Sequence, residues 1–145
     1  VRVSGNKESV ISLQILLKEK KIKSIPLKVS APFHCALMKP AALKMQGKIS
    51  NTKFNNPLVE IVNNVTAKQE IDSDNIKKLL VQQIHSTVKW RQSMINMSKN
   101  GVKNFVEVGP GKALTGMVKR TLKEVNCFSI NSITDIKNFT NELKK

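Results

Sequence analysis

The chain has 145 residues, 40% of them hydrophobic, and 25 Lys and Arg against 10 Asp and Glu give it a formal net charge of +15. This argues against a disordered or low-complexity chain and suits one globular domain, which at this size buries about 70% of its unfolded surface. With no tyrosine and 4% aromatics the core must be aliphatic, and the charge favours anionic partners (nucleic acid, phosphorylated cofactors, an acidic protein, an anionic membrane) without choosing among them.

The basic residues are spread along the chain, with small clusters at Lys18-Glu19-Lys20-Lys21 and Lys119-Arg120. There is no arginine-rich tract and no basic stripe with interleaved aromatics. Cys35 and Cys127 lie far apart, in no Cys-x-x-Cys pair and with no histidine at zinc-ligand spacing, which suits a reduced, intracellular chain. The sequence opens on no signal peptide and has no apolar run long enough to cross a bilayer.

In chain order, Val1 to Ser4 reads as a short strand closed by Gly5. Ser9 to Lys20 has helical spacing, with Val10, Ile11, Leu13, Ile15, Leu16 and Leu17 on a broad apolar face. Ile22 to Val29 alternates through Ile25, Leu27 and Val29 as an extended segment does, and Pro26 makes it an edge strand. Pro32 biases Ala31 towards extended backbone, and a helix follows from about Ala36 to Ile49. Leu58 to Val62 reads as a buried strand before the turn Asn63-Asn64. Ser73 or Asp74 caps the next helix, with Ile76, Leu79, Leu80 and Ile84 on its face. After Ser86-Thr87 a further helical segment carries Trp90, Met94 and Met97 and stops near Gly101. Phe105 to Val108 is a second core strand, which Gly109-Pro110-Gly111 turns into a helix with Leu114, Met117, Val118 and Leu122 on one face. Cys127 to Ile130 is a short strand and Ile133 to Leu143 a last helix. Strands alternating with helices imply an α/β fold with a largely parallel sheet.

Two stretches carry candidate chemistry. His34, in "SAPFHCALMKP", sits where an extended segment meets a helix, a place suited to a general base. A lone histidine also serves as a local hydrogen-bonder, and the chain offers no nucleophile for a base to serve. His85, beside Ser86-Thr87, reads as structural. "VEVGPGKALTG", Val106 to Gly116, is a strand, a glycine turn and a helix; such a turn can bind phosphate through free backbone N–H groups, or it can simply pack a helix tightly on a strand. It lacks the P-loop spacing, since Lys112 follows too soon. Glu60, Glu107 and Glu124 are isolated, so no carboxylate pair is available for acid–base work.

"VSAPFHCALMKPA", "VEIVNNV", "LVQQIHSTVKW" and "FVEVGPGKALTGMVKR" are collinear. In that order and spacing they resemble blocks of the malonyl-CoA:acyl-carrier-protein transacylases, from about Val3 to Ile130, as the C-terminal half of an enzyme about twice this long. The resemblance implies a partial α/β-hydrolase-like acyltransferase core over residues 30–145, with the remnant of a ferredoxin-like small subdomain over residues 1–29. It implies that His34 is the catalytic histidine. It also implies that the backbone carbonyl of Gln83 accepts from its Nδ1–H, so the Gln83 side chain should matter little. A neutral carbonyl stabilises imidazolium less than a carboxylate would. The serine nucleophile, in a Gly-x-Ser-x-Gly elbow, is absent: no serine here is flanked by glycines at that spacing. Asn63-Asn64 matches a family block without a catalytic role.

Phe33 precedes the histidine at a position that, in related polyketide acyltransferases, goes with malonyl over methylmalonyl selection; packing is its other reading. The implied reaction is ping-pong transfer of malonyl from coenzyme A to the phosphopantetheine thiol of acyl carrier protein, with no metal or cofactor beyond the thioester substrate. The implied setting is cytoplasmic, with no membrane or nucleic-acid partner and a monomeric full-length protein. The positive charge would then serve coenzyme A and the acidic carrier protein, with Lys112, Lys119 and Arg120 as candidate contacts. The competing reading, a small basic nucleic-acid-binding domain, rests on charge alone.

Overall fold

The computed structural model describes residues 2–143. Its elements run in the order α1 (Lys7–Glu19), a single 3₁₀ turn (Ala36–Met38), α2 (Lys39–Asn51), β1 (Ile61–Val62), β2 (Gln69–Glu70), α3 (Ser73–His85), α4 (Trp90–Lys99), β3 (Asn104–Val108), α5 (Ala113–Thr121), β4 (Asn126–Ile130) and α6 (Ile133–Leu143). They fall into two compact units, residues 1–88 and 89–145.

In the first unit, Asn6 caps α1 by accepting from the Glu8 N–H at 2.9 Å, and the helix begins at Lys7, two residues before the expected start. The 3₁₀ turn leads into α2, with Pro40 in the first turn, where its missing N–H costs nothing. β1 and β2 form an antiparallel hairpin, Ile61 opposite Glu70 and Val62 opposite Gln69. Asp72, rather than Ser73 or Asp74, caps α3, accepting from the Asn75 N–H at 2.6 Å. Helices α2 and α3 pack together over Ala42, Ile76 and Leu79, and Ala67 of the hairpin loop is buried as well.

The second unit is a β–α–β arrangement. β3 and β4 pair in parallel, from Asn104 opposite Asn126 to Val108 opposite Ile130. α5 packs on both strands and on α4, burying Met94 and Val118. α6 covers β4, with Phe128 and Phe139 edge to face at 5.0 Å.

Two expectations change. No strand forms over Arg2–Ser4 or Ile22–Val29, and Val1 lies outside the described residues. The alternation at Ile25, Leu27 and Val29 is real, but those side chains are 70%, 59% and 62% exposed and no described strand pairs with them. Among the described residues the largely parallel sheet reduces to one parallel pair: the buried strand expected over Leu58–Val62 is only Ile61–Val62, with Leu58 and Val59 exposed, and it pairs antiparallel with β2. Parallel strands are normally covered on both faces, yet Val106 and Val108 on β3 are exposed.

Candidate functional site

His34 is presented by the tight segment between Ala31 and the 3₁₀ turn. The Phe33 N–H donates to the Ala31 carbonyl at 2.9 Å, across Pro32, and the Met38 N–H to the Cys35 carbonyl at 3.0 Å. The Cys35 thiol donates to the Pro32 carbonyl at 3.1 Å. His34 itself takes a left-handed backbone conformation, φ +60°, which costs a non-glycine residue about 1–2 kcal/mol. Surroundings that over-determine such a conformation are typical of functional positions. Here Pro32, the Cys35 thiol and the 3₁₀ turn are those surroundings.

The imidazole Nδ1 lies 2.8 Å from the backbone carbonyl oxygen of Gln83. A carbonyl only accepts, so Nδ1 carries the proton and Nε2 keeps its lone pair. Gln83 is the third-last residue of α3. The last four carbonyls of a helix have no partner within it, and the partial negative charge of the helix gathers there. The end of α3 thus supplies a fixed acceptor that any backbone can offer. Among the described residues Nε2 has no hydrogen-bond partner, and His34 is exposed. The chain can therefore hold a histidine in one tautomer with its basic nitrogen open. Phe33, 46% exposed, stands next to it.

The Gln83 side chain is also engaged: Asn64 Nδ2 donates to its Oε1 at 3.3 Å. Asn64 is a residue that sequence reasoning left without a role. Its only signal there was its place in a family block.

The glycine turn of the second unit resolves differently from a phosphate site. Gly109 and Gly111 take φ +130° and +96°, conformations that favour glycine. The freed helix N-terminus is already occupied by an anion of the chain itself, because Glu107 accepts from the N–H groups of Leu114 at 3.1 Å and Thr115 at 2.7 Å. The isolated glutamate of the sequence is thus the cap of α5. Lys112, Lys119 and Arg120 are exposed and belong to this second unit, whereas His34 belongs to the first. Lys112 lies near Asp135, whose carboxyl is lowered chiefly by the Asn131 backbone N–H and least by this lysine. Among the described residues no helix is long and apolar enough to cross a membrane, and no group of three or more His, Cys, Asp or Glu is placed to hold a metal.

A histidine oriented through Nδ1 and open at Nε2 is able to accept a proton at Nε2. No family model matches the chain. It is 39% identical over 134 residues to the malonyl CoA-acyl carrier protein transacylase of Haemophilus influenzae, which covers 92% of this chain and 43% of that protein. Its fold superposes on the acyl carrier protein S-malonyltransferase of Vibrio cholerae with a TM-score of 0.88 at 38% identity, over 93% of this chain and 44% of that one. It also superposes on a malonyl-transacylase solved in complex with a type II polyketide acyl carrier protein, with a TM-score of 0.89 at 34% identity, over 95% and 45% of the two chains. In sequence and fold the chain corresponds to the C-terminal part of the malonyl CoA-acyl carrier protein transacylases, and it spans less than half the length of these relatives. The nucleic-acid reading finds no support in the comparisons.

Proposed function

We propose that this chain supplies the general base of a malonyl-CoA:acyl-carrier-protein transacylase. The observation that carries the reading is the 2.8 Å contact between His34 Nδ1 and the Gln83 carbonyl, because it leaves Nε2 as the basic nitrogen. In this reading Nε2 takes the hydroxyl proton of a serine outside the chain as the serine oxygen attacks the malonyl thioester. It returns the proton to the departing coenzyme A thiolate. It then takes the proton of the carrier's phosphopantetheine thiol, whose sulfur attacks the malonyl-serine ester, and gives that proton back to the serine. A positioned base of this kind contributes ~10²–10⁴-fold. No step calls for a metal or a further cofactor.

Phe33 would border the malonyl pocket, and Lys112, Lys119 and Arg120 would meet the acidic carrier. Residues 1–29 would be the later part of the small subdomain and 30–145 the rest of the acyltransferase core. The uncovered apolar side chains of β3, Val106 and Val108, would pack against the part of the fold outside the chain. The setting is cytoplasmic, the whole protein a monomer, and the 145 residues alone do not turn over malonyl-CoA.

A chimaera tests this. Residues 1–145 replace the matching part of the Haemophilus influenzae relative, and malonyl transfer to its carrier protein is measured. The chimaera should transfer malonyl and its His34→Ala variant should not. A folded chimaera without transfer, or one indifferent to His34→Ala, would overturn the reading.

A further inference from the structure

We propose that Asn64 is a positioning residue for His34, acting through the side chain of Gln83; this rests on the reading of His34 as the general base. The carbonyl that orients His34 belongs to the last turn of α3, and last turns of helices fray. An acceptor there holds an imidazole only as well as the turn itself is held. Asn64 reaches that turn from a separate element, the loop between β1 and β2, 19 residues away.

The two asparagines of the loop divide the work. Asn63 is buried and committed to the loop: its N–H donates to the Lys68 carbonyl at 3.0 Å, its carbonyl accepts from Ala67 N–H at 2.8 Å, and its Oδ1 accepts from Val65 N–H at 2.7 Å. Ala67, buried at φ +59°, closes the loop. Asn64, next in the loop and half-buried, donates its Nδ2–H to Gln83 Oε1 at 3.3 Å. Gln83 is thereby held twice, at its backbone oxygen by His34 and at its side chain by the hairpin. Asparagine is suited to the role because its amide donates to Oε1 without bringing a charge beside the imidazole. A glutamine at position 83 does more than lend a carbonyl, which any residue could supply.

The tautomer of His34 is the readout, and it needs no turnover. The chain has two histidines, so ¹⁵N imidazole spectra of the 145-residue chain, taken about two units above the ordinary histidine pKa of ~6.5, separate His34 from His85 as internal control. Wild type should show His34 mainly protonated on Nδ1. Asn64→Ala should move its tautomer ratio towards Nε2–H by about threefold or more, as expected for one neutral hydrogen bond, with His85 unmoved. Gln83→Met, which keeps side-chain length but loses Oε1, should do the same, and the double variant should add nothing. Should Asn64→Ala fail to fold, Gln83→Met decides alone. An unchanged ratio in a folded variant, additive effects, or a joint shift of both histidines would overturn the proposal. An inactive chimaera would overturn the general-base reading and with it the catalytic meaning of this role, whereas the tautomer ratio alone decides whether Asn64 is coupled to His34.

Discussion

The carboxylate of Glu107 on β3 accepts the backbone N–H of Thr115, in the first turn of α5, at 2.7 Å. A strand thus caps the helix that follows it, across the tight turn at Gly109 and Gly111. The Thr115 N–H above all, with that of Leu114, holds the Glu107 carboxyl below its ordinary value. The ionised form is therefore favoured more strongly in the folded chain than in the unfolded one. Its stabilisation is complete above the unfolded pKa of ~4.3 and is lost as pH falls through the lower folded value. Glu107→Gln should unfold at lower denaturant than wild type at neutral pH, and the two midpoints should converge as the solution is acidified. Trp90, the one tryptophan of the chain, lies in α4 against α5 and reports this by fluorescence. Asp135 and Glu70 are also lowered, but they titrate alike in both proteins and cancel. A gap that stays constant with pH would show that Glu107 acts by packing alone.

How far the sequence discloses this fold depends on whether the deciding contact is local. The helices are legible because their spacing and caps lie within a few residues. Even there Asp72, not its neighbours, proved to be the cap of α3, since its oxygen reaches the third N–H along. The segment Ile22–Val29 misleads because alternation reports two-faced burial, and neither face is buried by described residues. Glu107 and Asn64 are illegible for a second reason: their partners lie 7, 8 and 19 positions away, where no periodicity points. His34 and Gln83, 49 positions apart, came together in the sequence only through the family resemblance. Spacing alone left His34 as either a base or a local hydrogen-bonder.

His34 and Gln83 should differ sharply under mutation in the transferring chimaera. On the proposed function His34→Ala removes the base from both half-reactions, and loss of a key member of such a unit can cost on the order of 10⁶ in rate. Gln83→Ala keeps the backbone carbonyl and loses only the hold of Asn64, so the expected loss is no more than about tenfold. Steady-state kcat/KM with carrier protein measures both. If Gln83→Ala were as damaging as His34→Ala with the fold intact, the backbone assignment would be wrong.

Phe33 stands beside His34 in sequence, and its N–H donates to the Ala31 carbonyl. Its ring would take up the room an α-methyl group needs. Phe33→Ser in the chimaera should raise the ratio of methylmalonyl to malonyl transfer when the two thioesters compete. A methyl-sized change in a pocket is worth ~1–3 kcal/mol, so the expected result is a shift in ratio rather than a switch. An unchanged ratio would return Phe33 to packing.

Lys119 and Arg120 close the last turn of α5, where positive charge complements the helix C-terminus, and both are exposed. Lys112, at the other end of the helix, has Asp135 nearby, so the two C-terminal residues are the better test of carrier binding. Exposed charges act mainly by steering an oppositely charged partner, and salt screens them over ~8 Å at physiological ionic strength. Replacing both with glutamate in the chimaera should raise the KM for carrier protein, most at low salt. Hydrolysis of malonyl-CoA should stay nearly constant, because acylation of the serine needs no carrier. Equal losses in the two assays would point instead to a coenzyme A contact or to a damaged fold, which the Trp90 unfolding curve would separate. No change in either assay would remove α5 from the carrier surface and leave the +15 charge of the chain to act elsewhere.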